Sequence, residues 1–144
     1  MTIEKKSKKF RAILDTWKCN LGIVTATDQI AWLLNLRGAD SPFCPLFQAF
    51  LVIFCGKQAK FHLYSDPEKF KDPAVQEYLS KYHIVLKPYE QFIPDLKLME
   101  GMRIGVKMKS INSGILRAIN NKSTTVDIKN SFAYTKVLGC HSYN

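Results

Sequence analysis

Asn35-Leu36-Arg37-Gly38-Ala39-Asp40 is the stretch whose residue types come closest to a working site. Arg37 offers a planar fork of donors that fits a carboxylate or a peptide carbonyl. Gly38 permits backbone angles that other residues avoid. Asn35 and Asp40 can order the loop or meet charged groups. The plainer reading is an Arg37–Asp40 ion pair that folds the corner and does nothing more. Trp32, just upstream, sits at helical spacing, where tryptophan is more often core than contact. Its enrichment at interfaces keeps the second role open. Pro42 and Pro45 close the loop that follows.

Other chemistry has little support. There is no Gly-x-Gly-x-x-Gly, no phosphate-binding loop and no Gly-x-Ser-x-Gly elbow. Cys19, Cys44, Cys55 and Cys140 are widely separated, and His62, His83 and His141 form no His-Glu-x-x-His pattern, so no zinc spacing is present. Reduced, mostly buried thiols are expected. Asp40, Asp66, Asp72 and Asp95 show no spacing that demands an acid–base pair, and Asp72 is explained as a helix cap. The net charge of +9, with Lys5, Lys6, Lys8, Lys9 and Arg11 clustered early, would attract phosphates. No nucleic-acid module signature accompanies it, so a solvated lysine-rich face is the reading and nucleic acid is not an expected partner.

The elements that must position these residues follow from periodicity. Phe10, Ile13, Leu14 and Trp17 form one apolar stripe and predict a helix from about Ser7 to Lys18, with the lysines mostly off the stripe. Leu21 to Ala26 reads as a buried strand. Thr27 or Asp28 can cap a short helix carrying Ile30, Ala31, Leu33 and Leu34. Phe50 to Cys55 suits a central strand covered on both faces. A turn at Gly56-Lys57-Gln58 and alternation through Lys60–Tyr64 make a hairpin, with His62 on the more polar face as a surface histidine. Asp72-Pro73 starts a helix whose buried side is Val75, Leu79 and Tyr82. Ile84–Leu86 is a strand ended by Pro88, and Tyr89 to Leu98 begins as helix, with Pro94 obscuring its course. Met102 to Met108 alternates as a half-buried strand. Ser110 or Asn112 caps a helix to about Ile119, Asn120-Asn121 turns, and Thr124–Ile128 is the last strand. At 144 residues and 47% hydrophobic, the chain suits one α/β domain with a mixed sheet and no second-domain linker. The longest apolar run, Ala49 to Cys55, falls far short of the ~20 residues of a membrane span. The basic N-terminus lacks the apolar segment of a secretory signal, which predicts a cytoplasmic chain.

Residues 28–40, Asp-Gln-Ile-Ala-Trp-Leu-Leu-Asn-Leu-Arg-Gly-Ala-Asp, resemble the Asp-Glu-Ile-Ala-Trp-Leu-Leu-Asn-Leu-Arg-Gly-Ser-Asp of the non-catalytic middle domain of three-domain Xaa-Pro aminopeptidases. The two prolines that follow are similarly spaced. Val24-Thr25-Ala26-Thr27-Asp28 is similar to the family's Val-Thr-Ala-Leu-Asp, and Lys87-Pro88-Tyr89 to its Arg/His-Pro-Tyr. Lys9–Leu14, Phe47–Ile53 and, more loosely, Ser131–Leu138 extend the likeness to almost the whole chain. It is sharp only from Val24 to Pro45. Gln29, Cys44 and Gly139-Cys140-His141 depart from the family's pattern.

The resemblance implies a creatinase/prolidase N-terminal-type fold, with helices on both faces of a mixed sheet. It implies that 1–144 is a single non-catalytic domain whose parent releases an N-terminal residue preceding proline. The parent's catalytic "pita-bread" domain, holding two divalent metals, usually manganese, is expected to be absent from this chain, and none of its ligands can be assigned here. The implied partners are that C-terminal catalytic domain, proline-containing peptides and a second subunit in a homodimer. On this view Trp32, Asn35, Arg37 and Asp40 face the active-site cleft or a neighbouring subunit. The alternatives are a prolidase or creatinase-like parent, or a stand-alone binding protein using its basic surface.

Overall fold

Thr2 starts the first helix, α1 (Ile3–Thr16), because its side-chain oxygen accepts from the Lys5 backbone N–H at 3.2 Å. The start lies four residues before the expected Ser7, since Ile3 extends the apolar stripe back by two turns. Lys5, Lys8 and Lys9 lie off the stripe as expected, but Lys6 is buried. Burial pushes its ammonium pKa down. Trp17, expected to finish the stripe, is 37% exposed because the helix ends beneath it. The Lys18 and Cys19 N–H groups donate to Asp15 and Leu14 carbonyls, with Lys18 at φ 56°. That is a left-handed helix stop, filled by lysine where glycine is usual. The Arg103 guanidinium then donates to the Trp17 and Lys18 carbonyls, at 3.0 and 2.9 Å.

The structure, a computed structural model, describes residues 2–34, 49–56, 60–107, 111, 113–119 and 123–128. Six strands form one mixed sheet: β1 (Leu21–Val24), β2 (Ala49–Phe54), β3 (Lys60–Ser65), β4 (Ile84–Pro88), β5 (Arg103–Val106) and β6 (Thr124–Asp127), in the order β4-β3-β2-β1-β5-β6. β2 alone runs against its neighbours. The hairpin register pairs Ile53 with Phe61 and Leu51 with Leu63. A one-residue slip would turn these four side chains to the opposite face.

α2 (Thr27–Leu33), α3 (Pro73–Lys81) and α1 share one face, over Leu51, Ile53, Phe61 and Leu63. α4 (Phe92–Leu98) and α5 (Ser113–Ala118) share the other, over Ile23, Val52, Tyr64 and Ile104. Asp72 caps α3 as its sequence demands, accepting from the Ala74 N–H at 2.8 Å. Pro94 lies in the first turn of α4, where a missing N–H leaves no helical bond unmade. The capping expectations at Ser110 and Asn112, and the turns at 57–58 and 120–121, lie outside the described residues. So do the side chains of Thr27 and Asp28.

Two expectations need correction. The Tyr64 face of β3 is not polar: Tyr64 is 1% exposed, under α4. β5 is not half-buried either, since three of its four residues are buried. Gly105, which alternation placed on the open side, faces α1, and a Cβ there would lie 2.8 Å from Leu14 Cδ2.

Candidate functional site

Trp32 lies in α2, and its side chain is outside what is described, as are Asn35, Arg37 and Asp40. What can be placed are the residues that flank this stretch. Leu33 and Leu34 are fully buried, and the Tyr78 hydroxyl of α3 donates to the Leu34 carbonyl at 2.7 Å. Burial first, then the neighbouring Tyr82 and Glu4, pushes the Tyr78 pKa up to about 12, so this donor keeps its proton at neutral pH. On the far side, Ala49 begins β2 in register with Ser65, which pairs with Pro88. β1, β3, β4, β5 and β6 are parallel to one another, so their carboxyl ends lie along the edge where β2 starts. Ligands of open α/β sheets gather outside that edge. The stretch therefore leaves a pinned residue and rejoins the sheet at its carboxyl edge.

A second constellation, missed in the sequence, lies on the α4 face. The Tyr64 hydroxyl donates to Asp95 Oδ2 at 2.6 Å, Lys87 Nζ reaches the same oxygen at 3.2 Å, and Gln91 Nε2 donates to Oδ1 at 3.0 Å. Phe50 stacks on Phe92 and Tyr89, and Phe92 tilts against Tyr64. Burial raises the Asp95 pKa, but the hydrogen bonds from Tyr64, Gln91 and Lys87 outweigh it and hold the carboxyl below its usual range. Burial and the bond to Asp95 push Tyr64 up. Such a carboxylate is a poor base and such a phenol a poor acid at pH 7, so the cluster fastens α4 to the sheet rather than moving protons. The partners Tyr64 and Asp95 stand 31 residues apart, and no local pattern in the sequence links them.

His62 is not the surface histidine expected. It is half-buried, edge-on to Phe54 at 4.7 Å and to Tyr64 at 6.4 Å. Burial, helped by the Lys87 and Lys60 charges and opposed by Asp95, lowers its pKa to about 4 from 6.5. The unfolded chain therefore takes up this proton first, and stability is expected to fall as pH drops from about 6.5 towards 4. Screening at this half-exposed site limits the loss to about 1–2 kcal/mol. Asp95, whose folded pKa is depressed, adds a further loss as pH falls through that lower value. Urea unfolding between pH 7 and 4 checks this. His62→Gln should flatten only the upper step, and an unchanged slope in the variant would rule the assignment out.

The thiols behave as expected where they are described. Cys19 is buried and Cys55 half-buried, both free. Burial raises both pKa values, Cys55 to about 11, so neither is an activated nucleophile. Cys44 and Cys140 lie outside the described residues. Among the described residues no three His, Cys, Asp or Glu side chains gather to hold a metal, so they do not fit the dinuclear centre that the resemblance implies for the parent. Among them too, no helix is long and apolar enough to cross a membrane.

Fold and geometry together define a mixed α/β domain that fixes Leu34 and Ala49, the two residues bounding one connecting stretch, with no assembled reaction centre among the described residues. The chain belongs to the creatinase/prolidase N-terminal domain family, whose profile matches residues 1–138. It is 34% identical over 138 residues to a protein of Verticillium alfalfae named "Probable Xaa-Pro aminopeptidase P", covering 95% of this chain and 20% of that one. A protein of the same name from Ajellomyces capsulatus is 38% identical over 99 residues, 68% of this chain and 15% of that one. The chain thus spans about a fifth or less of these relatives. Among solved structures, X-prolyl aminopeptidase from Caenorhabditis elegans, described as a cytosolic enzyme with a di-nuclear active site, superposes with a TM-score of 0.73 at 24% identity, over 94% of this chain and 22% of that one. The N-terminal domain of the cytoplasmic peptidase PepQ from Mycobacterium tuberculosis gives 0.62 at 9% identity, over 93% and 98%. At these identities the structures speak for the fold: a mixed sheet with helices on both faces.

Proposed function

We propose that residues 1–144 form a single non-catalytic domain of a Xaa-Pro aminopeptidase, a cytoplasmic enzyme releasing the N-terminal residue of peptides in which proline follows. The observation that carries this reading is the 34% identity to the Verticillium alfalfae relative across 95% of the chain. Catalysis, on this reading, belongs to a separate C-terminal domain with two divalent metals, most often manganese. This domain's part is to border the cleft, limit which peptides enter, and contribute to contacts in a homodimer. The support from geometry is the placement of the two residues that bound 35–48: Leu34, whose carbonyl Tyr78 holds, and Ala49, at the sheet edge where ligands of such folds collect.

The test is a chimera. Residues 1–138 of this chain replace the matched segment of the Verticillium alfalfae protein, and release of the first residue from Xaa-Pro-Xaa tripeptides is measured with manganese present. A domain with the same role should leave kcat/KM within about tenfold of the unaltered enzyme, or ~1.4 kcal/mol. A chimera that folds and loads metal normally but loses more than about a hundredfold would overturn the reading.

A further inference from the structure

α1 carries one cation that the fold leaves partly unused. Arg11 Nη1 donates to the Gly56 carbonyl at 3.0 Å. Its Nε is enclosed and has no hydrogen-bond partner. Among the described residues no carboxylate forms an ion pair with it. A buried guanidinium N–H left unmet is rare, and the usual remedy is a bound water or ion. Arg11 also lines two cavities. The larger, about 520 Å³, is shared with Lys8, Asp15 and Cys55 and has no aromatic wall. The smaller, about 310 Å³, lies where α1 meets the end of α3 and is lined by Glu4, Ser7, Phe61, Lys81 and Tyr82 as well. Its size is that of a small-ligand pocket. Lys81 Nζ is held 5.3 Å above the Tyr82 ring, so a second cation is already positioned at this cavity. Its lining thus holds Arg11 and Lys81, the His83 imidazole and one acid, Glu4.

We propose that this cavity binds an oxyanion, a carboxylate or phosphate group on a small body, with Arg11 and Lys81 as its cationic partners and the Phe61 and Tyr82 rings as its apolar wall. With Nη1 committed to Gly56 and Nε enclosed, Nη2 is the guanidinium nitrogen left to meet the anion. The site lies on α1, α3 and β3, and its residues are not those assigned to peptide access above.

The test follows the Arg11 Nε–H resonance by NMR while the full chain is titrated at constant ionic strength with sodium chloride, inorganic phosphate, acetate or benzoate. A saturable shift with phosphate or a carboxylate, at Kd of order 1 mM or tighter, is expected. Lys81→Ala, a change at an exposed position, should weaken it about tenfold. Phosphate alone saturating assigns a phosphate ligand, and benzoate tighter than acetate assigns a carboxylate seated on the rings. A linear response, an equal response to chloride, or unchanged affinity in folded Lys81→Ala would overturn the proposal.

Discussion

Leu14→Ala is expected to lower the stability of this domain by about 2–5 kcal/mol, the range for a fully buried leucine whose surroundings cannot close over the gap. Leu14 is 0% exposed. A Cβ added at Gly22 would come within 2.9 Å of Leu14 Cδ2, and one at Gly105 within 2.8 Å of the same atom. The two glycines sit on neighbouring strands β1 and β5, paired in register, so Leu14 reaches into the trough that both leave open, with Phe10 beside it at Gly22 and Cys19 at Gly105. Backbone on two strands cannot move in to refill it, and the cavity term should persist. Urea unfolding of the chain measures the change. Trp17→Ala on the same helix, at a residue 37% exposed, is the control and should cost far less. A Leu14→Ala loss below about 1 kcal/mol would mean that α1 is not seated in that trough.

How much of this was legible beforehand depends on how local the signal is. Asp72-Pro73 announces α3 because cap and proline act within three residues. The β2–β3 hairpin follows from two apolar runs and a glycine between them. The errors share a different origin. Alternation tells which side chains share a face but not what covers that face. Alternation puts Tyr64 with Lys60 and His62, opposite Phe61 and Leu63, although α4, some thirty residues on, roofs it. Gly105 counted as an open position, although its missing side chain is what admits Leu14. Arg103 closes the end of α1 from 85 residues away. No window of the sequence contains these pairings. The candidate site is a sharper case. Residue chemistry marks Arg37 and its neighbours, and the likeness to a family makes that corner the candidate for function. The described structure adds the two ends of that stretch, Leu34 and Ala49, and not its interior.

Arg37→Ala, made in the chimera with the Verticillium alfalfae relative, is expected to lower kcat/KM for Xaa-Pro-Xaa peptides by about 10- to 100-fold. That range follows from losing one charge-assisted hydrogen-bonding group, worth about 1.5–3 kcal/mol. Leu34 is fully buried, and its carbonyl is held by Tyr78, so Arg37 stands three residues beyond a fixed point. A side chain whose backbone is held near one end loses less freedom on meeting its ligand. If Arg37 contacts the peptide equally in the ground and transition states, the loss appears in KM. If it orients the peptide for attack, the loss appears in kcat. Arg37→Lys should recover only part of the activity when both donors of the fork are in use. The competing account, an Arg37–Asp40 ion pair that merely folds the corner, makes a different prediction. Under it, Arg37→Ala and Asp40→Ala lower thermal stability by similar amounts, and the double variant loses little more. Kinetics unchanged while the melting temperature drops would decide for the ion pair, and a kinetic loss at unchanged melting temperature would decide for contact with the peptide.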